Sequence, residues 1–402
     1  MKGYLVSAVQ ALKGETRLKK PENRIEVDLR KGSIQNRLLS LDAFRGMTIA
    51  GMILVNNPGN WNHVYPPLLH AEWHGITPTD IIFPFFLFIM GISIAFAYSR
   101  QLLKNVPKRE MVNKIIKRSI ILFLMGLFLV SYPNFDWYSF RIPGVLQRIA
   151  IVFLVSSLLF IYTSWRSILY LSIILLIGYW LAMAFIPVPG VGYPNFEINN
   201  NLAAWIDRIF LTGHMRAQTK TWDALGLFST FPAIVSGLSG VLIGIVLLKD
   251  NLNLKRKLIW IFVIGSLCAL GGWIWDGFFP INKNIWTSSY VLYTTGLGCL
   301  VFGILYWFVD VLNYKRWTTF FVVYGVNAIT AYFVSEFLIK TLNWIKISYN
   351  GEQVSILNFL YLQLFEPFFT PINASLALAI FWVVTFSIPL YYMYTRKIFI
   401  KV

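Results

Sequence analysis

Runs of roughly 20 apolar residues, separated by short clusters of charge, recur along the whole chain. One such run is the length a helix needs to cross a hydrocarbon core. Hydropathy gives ten of them, at about 42–58, 77–98, 118–133, 143–163, 165–186, 224–248, 257–279, 286–309, 317–340 and 372–395. The pattern predicts an all-α fold, a polytopic membrane helix bundle of about ten transmembrane helices. Residues 1–40 read as a basic arm and 41–402 as one membrane domain. Two connections are too long for turns, about 187–223 and 341–371. In the first, Trp205, Ile206, Ile209 and Phe210 mark a short amphipathic helix over Leu202–Leu211. In the second, Asn350-Gly351 is a turn signal, and the apolar stretch 356–369, interrupted by Glu366-Pro367, reads as an interfacial or re-entrant helix.

The first span is short and polar at both ends, with Asp42 and Arg45 below and Asn56 and Asn57 above, so it belongs among other helices rather than against lipid. In the sixth, Gly240 and Gly244 are spaced for a close helix contact.

Composition agrees with the spans. Of 402 residues, 57% are hydrophobic and 13% charged, about half the charge of a soluble domain. That excludes a soluble enzyme, a disordered chain and a small disulfide scaffold. Both cysteines, Cys268 and Cys299, lie inside spans. A net charge of +17 on a soluble domain would point to nucleic acid, but here its placement matters more. With the N-terminus cytoplasmic, 27 of the 35 Lys and Arg fall on one side. The positive-inside bias then puts both termini in the cytoplasm of a multi-pass cell (inner) membrane protein, with no nucleic-acid partner. Residues 1–40 carry no cleavable signal pattern.

Three of the four histidines, His63, His70 and His74, fall in the outer loop between the first two spans. Pro66-Pro67 breaks any helix between His63 and His70, and Glu72 follows His70 by two residues, not by one as in H-E-x-x-H, so no metal is expected. His63, with Trp61 and Tyr65, reads as an interfacial aromatic belt. For His70 the residues alone leave two readings open: the same belt, or acid–base or nucleophilic catalysis at a membrane cavity. Asn56 and Asn57 are placed to donate to an oxyanion, and Asp80 either orients an imidazole or caps the helix that begins near Thr77-Pro78. Arg148 is an intramembrane arginine about two turns inside its span; a ligand anion or an ion pair with Asp80, Asp276 or Glu336 would explain it. Asp276 and the run from Asn282 to Tyr290 cluster polar groups into a rim suited to a sugar.

Several blocks in order resemble the heparan-α-glucosaminide N-acetyltransferase family. They are Arg37-Leu-Leu-Ser-Leu-Asp42-Ala-Phe-Arg45-Gly46 with Val55-Asn56, and His70-Ala-Glu-Trp-His74-Gly75 leading into Thr79-Asp80-Ile-Ile-Phe-Pro84. Further on come Arg141-Ile-Pro-Gly-Val-Leu-Gln-Arg148, Trp222-Asp223-Ala-Leu-Gly226, Asn282-Lys-Asn-Ile-Trp286-Thr-Ser288-Ser289-Tyr290 and Tyr324-Gly-Val-Asn327. The resemblance implies transfer of acetyl from cytoplasmic acetyl-CoA, as co-substrate, to the amino group of a glucosamine-type sugar on the outer side. It makes His70 the catalytic residue and maps the asparagine that ends the first conserved helix onto Asn56; Asp80, from the reading of the residues above, joins them as a catalytic candidate. Arg45, Arg141, Arg148, Ser288 and Asn327 are then candidates for acetyl-CoA. Trp73, His74, Asp276, Asn282, Lys283 and Trp286 are candidates for the sugar, with no catalytic role carried to His74. The large lumenal domain and extra span of the lysosomal members are not seen, so a bacterial-type member acting on glucosamine-containing saccharides or cell-wall fragments is expected. Membrane lipid and a second copy in a homodimer are the other partners implied. Direct transfer and an acetyl-histidine intermediate stay open, and O-acylation of a surface glycan or lipid would use the same parts. A sugar transporter is the reading from another class, although the polar sites are unevenly spread, with the histidine loop in the first quarter of the chain, rather than repeating in both halves.

Overall fold

Inside hydrocarbon, backbone N–H and C=O groups find partners only within a helix or a closed barrel, so each apolar run winds into a helix. The computed structural model describes residues 38–400 apart from 137 and 217. The basic arm up to Arg37, and Lys401 in the basic tail, lie outside the described residues. The helices are α1 (Leu39–Asn56), α2 (Ile82–Leu103), α3 (Lys108–Ser131), α4 (Val145–Tyr162), α5 (Trp165–Phe185) and α6 (Leu202–Leu211). They continue with α7 (Thr230–Leu248), α8 (Leu254–Asp276), α9 (Ser288–Tyr306), α10 (Thr319–Val326), α11 (Ala328–Trp344), α12 (Ile356–Leu364) and α13 (Pro371–Thr395). Seven of these, α2, α4, α5, α7, α8, α9 and α13, are long and apolar enough to cross a membrane; α10 and α11 pass together as a pair bent by 70°. The remaining expected spans are α1, which carries Asp42 and Arg45, and α3, whose first turns are basic. Each of the ten runs coincides with one helix or with the bent pair.

The long helices give the bundle a basic end, where α2 meets α3 at Arg100, Lys104 and Lys108, and an opposite end that carries the histidine loop. The amphipathic α6 starts at Leu202, as its pattern predicts, with the Asn201 side chain accepting from the Ala204 N–H. The stretch after 341 turns out differently from a loop followed by a single helix. Lys346–Tyr349 (β1) and Glu352–Ser355 (β2) pair as an antiparallel hairpin across Asn350-Gly351, both at positive φ as a two-residue type I′ turn requires. The α12 that follows has nine residues, far short of a membrane crossing.

Small residues set the closest crossings. A Cβ on Gly46 of α1 would lie 1.7 Å from the Phe321 carbonyl oxygen, and one on Gly325 of α10 1.9 Å from that of Asp42. Gly240 of α7 meets the Phe88 carbonyl of α2 in the same way, and Gly244 meets Ala95. Around these contacts Leu87, Val152, Leu238 and Val291 are fully buried in one core shared by α2, α4, α7 and α9.

Candidate active site

The loop between α1 and α2 is tied down along its length. The Gly59 N–H donates to the Ser375 carbonyl on α13 (3.2 Å), and the Trp73 indole N–H to the Phe196 carbonyl (2.8 Å). The Gly75 N–H donates to the Ile281 carbonyl (2.8 Å), with Gly75 at φ +101°, where a side chain is strained. This last bond lays residues 70–77 against the turn that opens α9.

Asp80 sits in the short 3-10 turn Pro78–Ile81 ahead of α2, in a capping box with Thr77, and is 1% exposed. Its Oδ2 accepts from the Ala71 and Thr77 N–H groups, both at 3.0 Å. Its Oδ1 lies 2.7 Å from Nδ1 of His70. An ionised carboxylate only accepts, so Nδ1 carries the proton and the lone pair is left on Nε2. The His70 side chain is 53% exposed. The result is an oriented imidazole with Nε2 on the outside, held from behind by a satisfied carboxylate.

The turn at the start of α9 supplies a third group. The Asn282 side chain accepts from the Asn284 and Ile285 N–H groups (2.7 and 3.2 Å) and donates to Nδ1 of His74 at 3.3 Å. Lys283, next in line, reaches back over His70. Its Nζ is 2.9 Å from Nδ1, 3.3 Å from Nε2 and 3.3 Å from Oδ1 of Asp80. Burial pulls the Lys283 ammonium below its ordinary value while Asp80 draws it back up. Burial likewise pushes the His74 imidazole down, with Glu197 and Asp276 opposing. Asp276 itself accepts from the Ile281 N–H at 2.6 Å and shapes the same turn.

Asn56 ends α1 and donates to Oε1 of Glu336 on α11 at 3.3 Å. Sequence reasoning offered Glu336 to Arg148; the fold gives it to Asn56. Other expected ligand residues are occupied by the fold. The Arg148 guanidinium, 2% exposed, donates to the Ala224 and Gly226 carbonyls and the Ser229 hydroxyl (3.2, 3.0 and 2.6 Å) and stacks 5.1 Å from the Trp286 ring. Trp286 is fully buried at φ +50°, and the Ser288 hydroxyl donates to the Leu176 carbonyl at 2.7 Å. Trp73 is buried against Trp222. Arg141 makes a two-pronged pair with Asp223 (2.7 and 2.5 Å). Behind it Asp207 of α6, not singled out in the sequence, accepts from the Asp223 and Leu227 N–H groups, and burial pushes its carboxyl up to about 6.

A cavity of about 340 Å³ opens in the basic half of the bundle between α1, α2, α3, α4 and the α10–α11 bend. Arg45, Ser93, Tyr98, Gln101 and Arg118 supply its polar wall. Arg45 is fixed by Asp42, the Gly325 carbonyl and the Ser93 hydroxyl (3.1, 3.2 and 2.6 Å). Arg118, one of seven basic residues in a cluster read only as topology, lies 4.7 Å over the Phe153 ring. Asn327, at the break between α10 and α11, holds the chain at Ile398 and Ile400 beside the cavity. Phe86, Ile149 and Ile329 also line a second void of about 10 Å³. Met52, Phe83 and Tyr332 line that void too, one turn below Asn56, Asp80 and Glu336 respectively. Among the described residues, no three His, Cys, Asp or Glu side chains gather as a metal site.

The family described as heparan-alpha-glucosaminide N-acetyltransferase, catalytic, matches residues 37–273. The chain belongs to this family. Heparan-alpha-glucosaminide N-acetyltransferases of Mus musculus and Homo sapiens are each 31% identical to it, and the matches cover 76% and 75% of this chain. They are covered over 54% and 53% of their own lengths, so the chain spans about half of the curated relatives it matches. The segment matching the N-acetyltransferase family carries Arg45, Asn56, His70 and Asp80, and stops short of Asn282 and Lys283, which the fold returns to its histidines.

Proposed function

We propose that this protein transfers an acetyl group from acetyl-CoA to the amino group of a glucosamine-type sugar, with the two co-substrates held at opposite ends of the bundle. The reading rests most on the His70–Asp80 pair, a base of fixed tautomer whose Nε2 faces outward with the Lys283 ammonium 3.3 Å away. The basic end faces the cytoplasm of a cell membrane in this reading. CoA phosphates meet Arg45 and Arg118, guanidinium groups suited to them, and the pantetheine arm follows the cavity toward the waist below Asn56. The sugar nitrogen, as the free amine, attacks the thioester carbonyl; the C–N bond forms and the C–S bond breaks. Nε2 of His70 takes the proton released from nitrogen and passes it to the departing thiolate. Asn56, held by Glu336, has a second amide N–H for the developing oxyanion. An acetyl group carried on Nε2 itself would use the same residues in two steps.

The test is CoA-thiol release by purified protein with acetyl-CoA and glucosamine, beside His70→Ala. Acceptor-dependent release in the wild type, falling by about 10²-fold or more in the variant with acetyl-CoA binding kept, is the expected result. Release that survives in His70→Ala removes His70 from the chemistry. Wild-type release that requires a hydroxyl acceptor and ignores amines replaces this reading with O-acylation.

A further inference from the structure

Lys283 does more than line a rim. Its Nζ is within 3.3 Å of both imidazole nitrogens of His70 and of the Asp80 carboxylate. Since Nδ1 already donates to Asp80, the ammonium has no lone pair to bond there; the Asp80 carboxylate draws it in (3.3 Å), and on the ring it can donate only to Nε2, at 3.3 Å. The charges around the ring can be counted. Asp80 contributes one negative charge and Lys283 one positive charge. Of the neighbours, His74 faces Asn282, the Tyr290 hydroxyl donates to the Asp80 backbone carbonyl (2.6 Å), and Arg148 is enclosed behind Trp286. A carboxylate alone beside an imidazole favours the imidazolium, which cannot accept a proton. An ammonium at this distance disfavours it.

We infer that Lys283 is a positioning residue whose ammonium offsets Asp80 and keeps His70 an uncharged base while Asp80 fixes its tautomer; this rests on the acetyl-transfer reading above. The turn that carries Lys283 is built for the purpose. Asn282 caps it from inside, Trp286 closes it at positive φ, and the Lys283 side chain is 19% exposed.

The test is the pH profile of kcat/KM for thiol release, with acetyl-CoA and glucosamine, in wild type, Lys283→Met, Lys283→Gln and Lys283→Arg. Titration of the acceptor amine is common to all four and cancels in the comparison. In the two neutral variants the acidic limb moves to higher pH by about one unit, so activity falls about tenfold on the acid side and recovers on the alkaline side. Lys283→Arg, which keeps the charge, keeps the wild-type limb. A uniform loss at every pH, or a rise in KM for glucosamine with the limb unmoved, overturns the inference and leaves Lys283 as packing or sugar contact. The Gln variant retains a polar head should Met disturb the turn, and a thermal melt of each variant identifies misfolding. Absence of acceptor-dependent release in the wild type strikes the acetyl-transfer reading itself, and is told apart because no variant is needed to see it.

Discussion

Nδ1 of His70 lies 2.7 Å from a carboxylate oxygen of Asp80 that is sealed from solvent, so the imidazole is fixed from its inner side and turns Nε2 outward. Asp80→Asn keeps the shape and loses this control, because an amide can present N–H to Nδ1 and favour the other tautomer. Thiol release is expected to fall by about 10²-fold or more with acetyl-CoA affinity unchanged. A variant with normal turnover would mean that Asp80 serves only as a cap.

Arg148 holds residues 224–229 to α4 through three buried acceptors. Arg148→Leu strands them, and at about 1–3 kcal/mol for each buried polar group the fold loses roughly 3 kcal/mol or more. The melting temperature in detergent should drop, while KM for acetyl-CoA in whatever folds stays as in wild type. A raised KM at unchanged stability would return Arg148 to the ligand site.

Arg118 makes the opposite prediction. It lines an open cavity and packs on one ring, so Arg118→Gln should leave the melt unchanged. One lost guanidinium–phosphate contact weakens acetyl-CoA binding by about tenfold, read as KM. Equal affinity for acetyl-CoA in both proteins would place the phosphates elsewhere.

Asp207 gives a pH dependence of stability. Its carboxyl is at about 6 in the fold against an ordinary 3.8, so the native state holds this proton more tightly than the unfolded chain does. The contribution is fully present below pH 3.8 and is lost as pH rises through about 6, on the order of 3 kcal/mol across the window. Melts of wild type should fall in this range from this source, and Asp207→Asn, which does not titrate, should lack that part of the fall. Parallel curves would refute it.

Much of this was legible in the sequence because hydropathy reports length and burial directly. The ten runs became helices, Leu202–Leu211 became α6, and Gly240 and Gly244 became a close contact with α2. What escaped depends on partners distant in the chain. Arg148 meets two backbone carbonyls some 80 residues on, which leave no side-chain signature. The hairpin after Trp344 has strands of four residues, too short for an alternation to register beyond its Asn-Gly turn. Asp80 was read as either orienter or cap, and it is both, since its two oxygens face different donors. Arg118 was hidden among basic neighbours that mark only an end of the bundle; nothing local separates the one that turns inward.

The void of about 10 Å³ at the waist is walled by Ile49, Phe83, Leu146 and other apolar side chains, which leaves room for about one water molecule and few groups to hold it. No hydrated ion fits there, and the void cannot itself hold a file of waters along which protons would hop. Where it has no substrate arm in it, this waist insulates the inner end of the 340 Å³ cavity, which can stay open at the basic end without itself short-circuiting the gradients of the membrane in which the bundle sits.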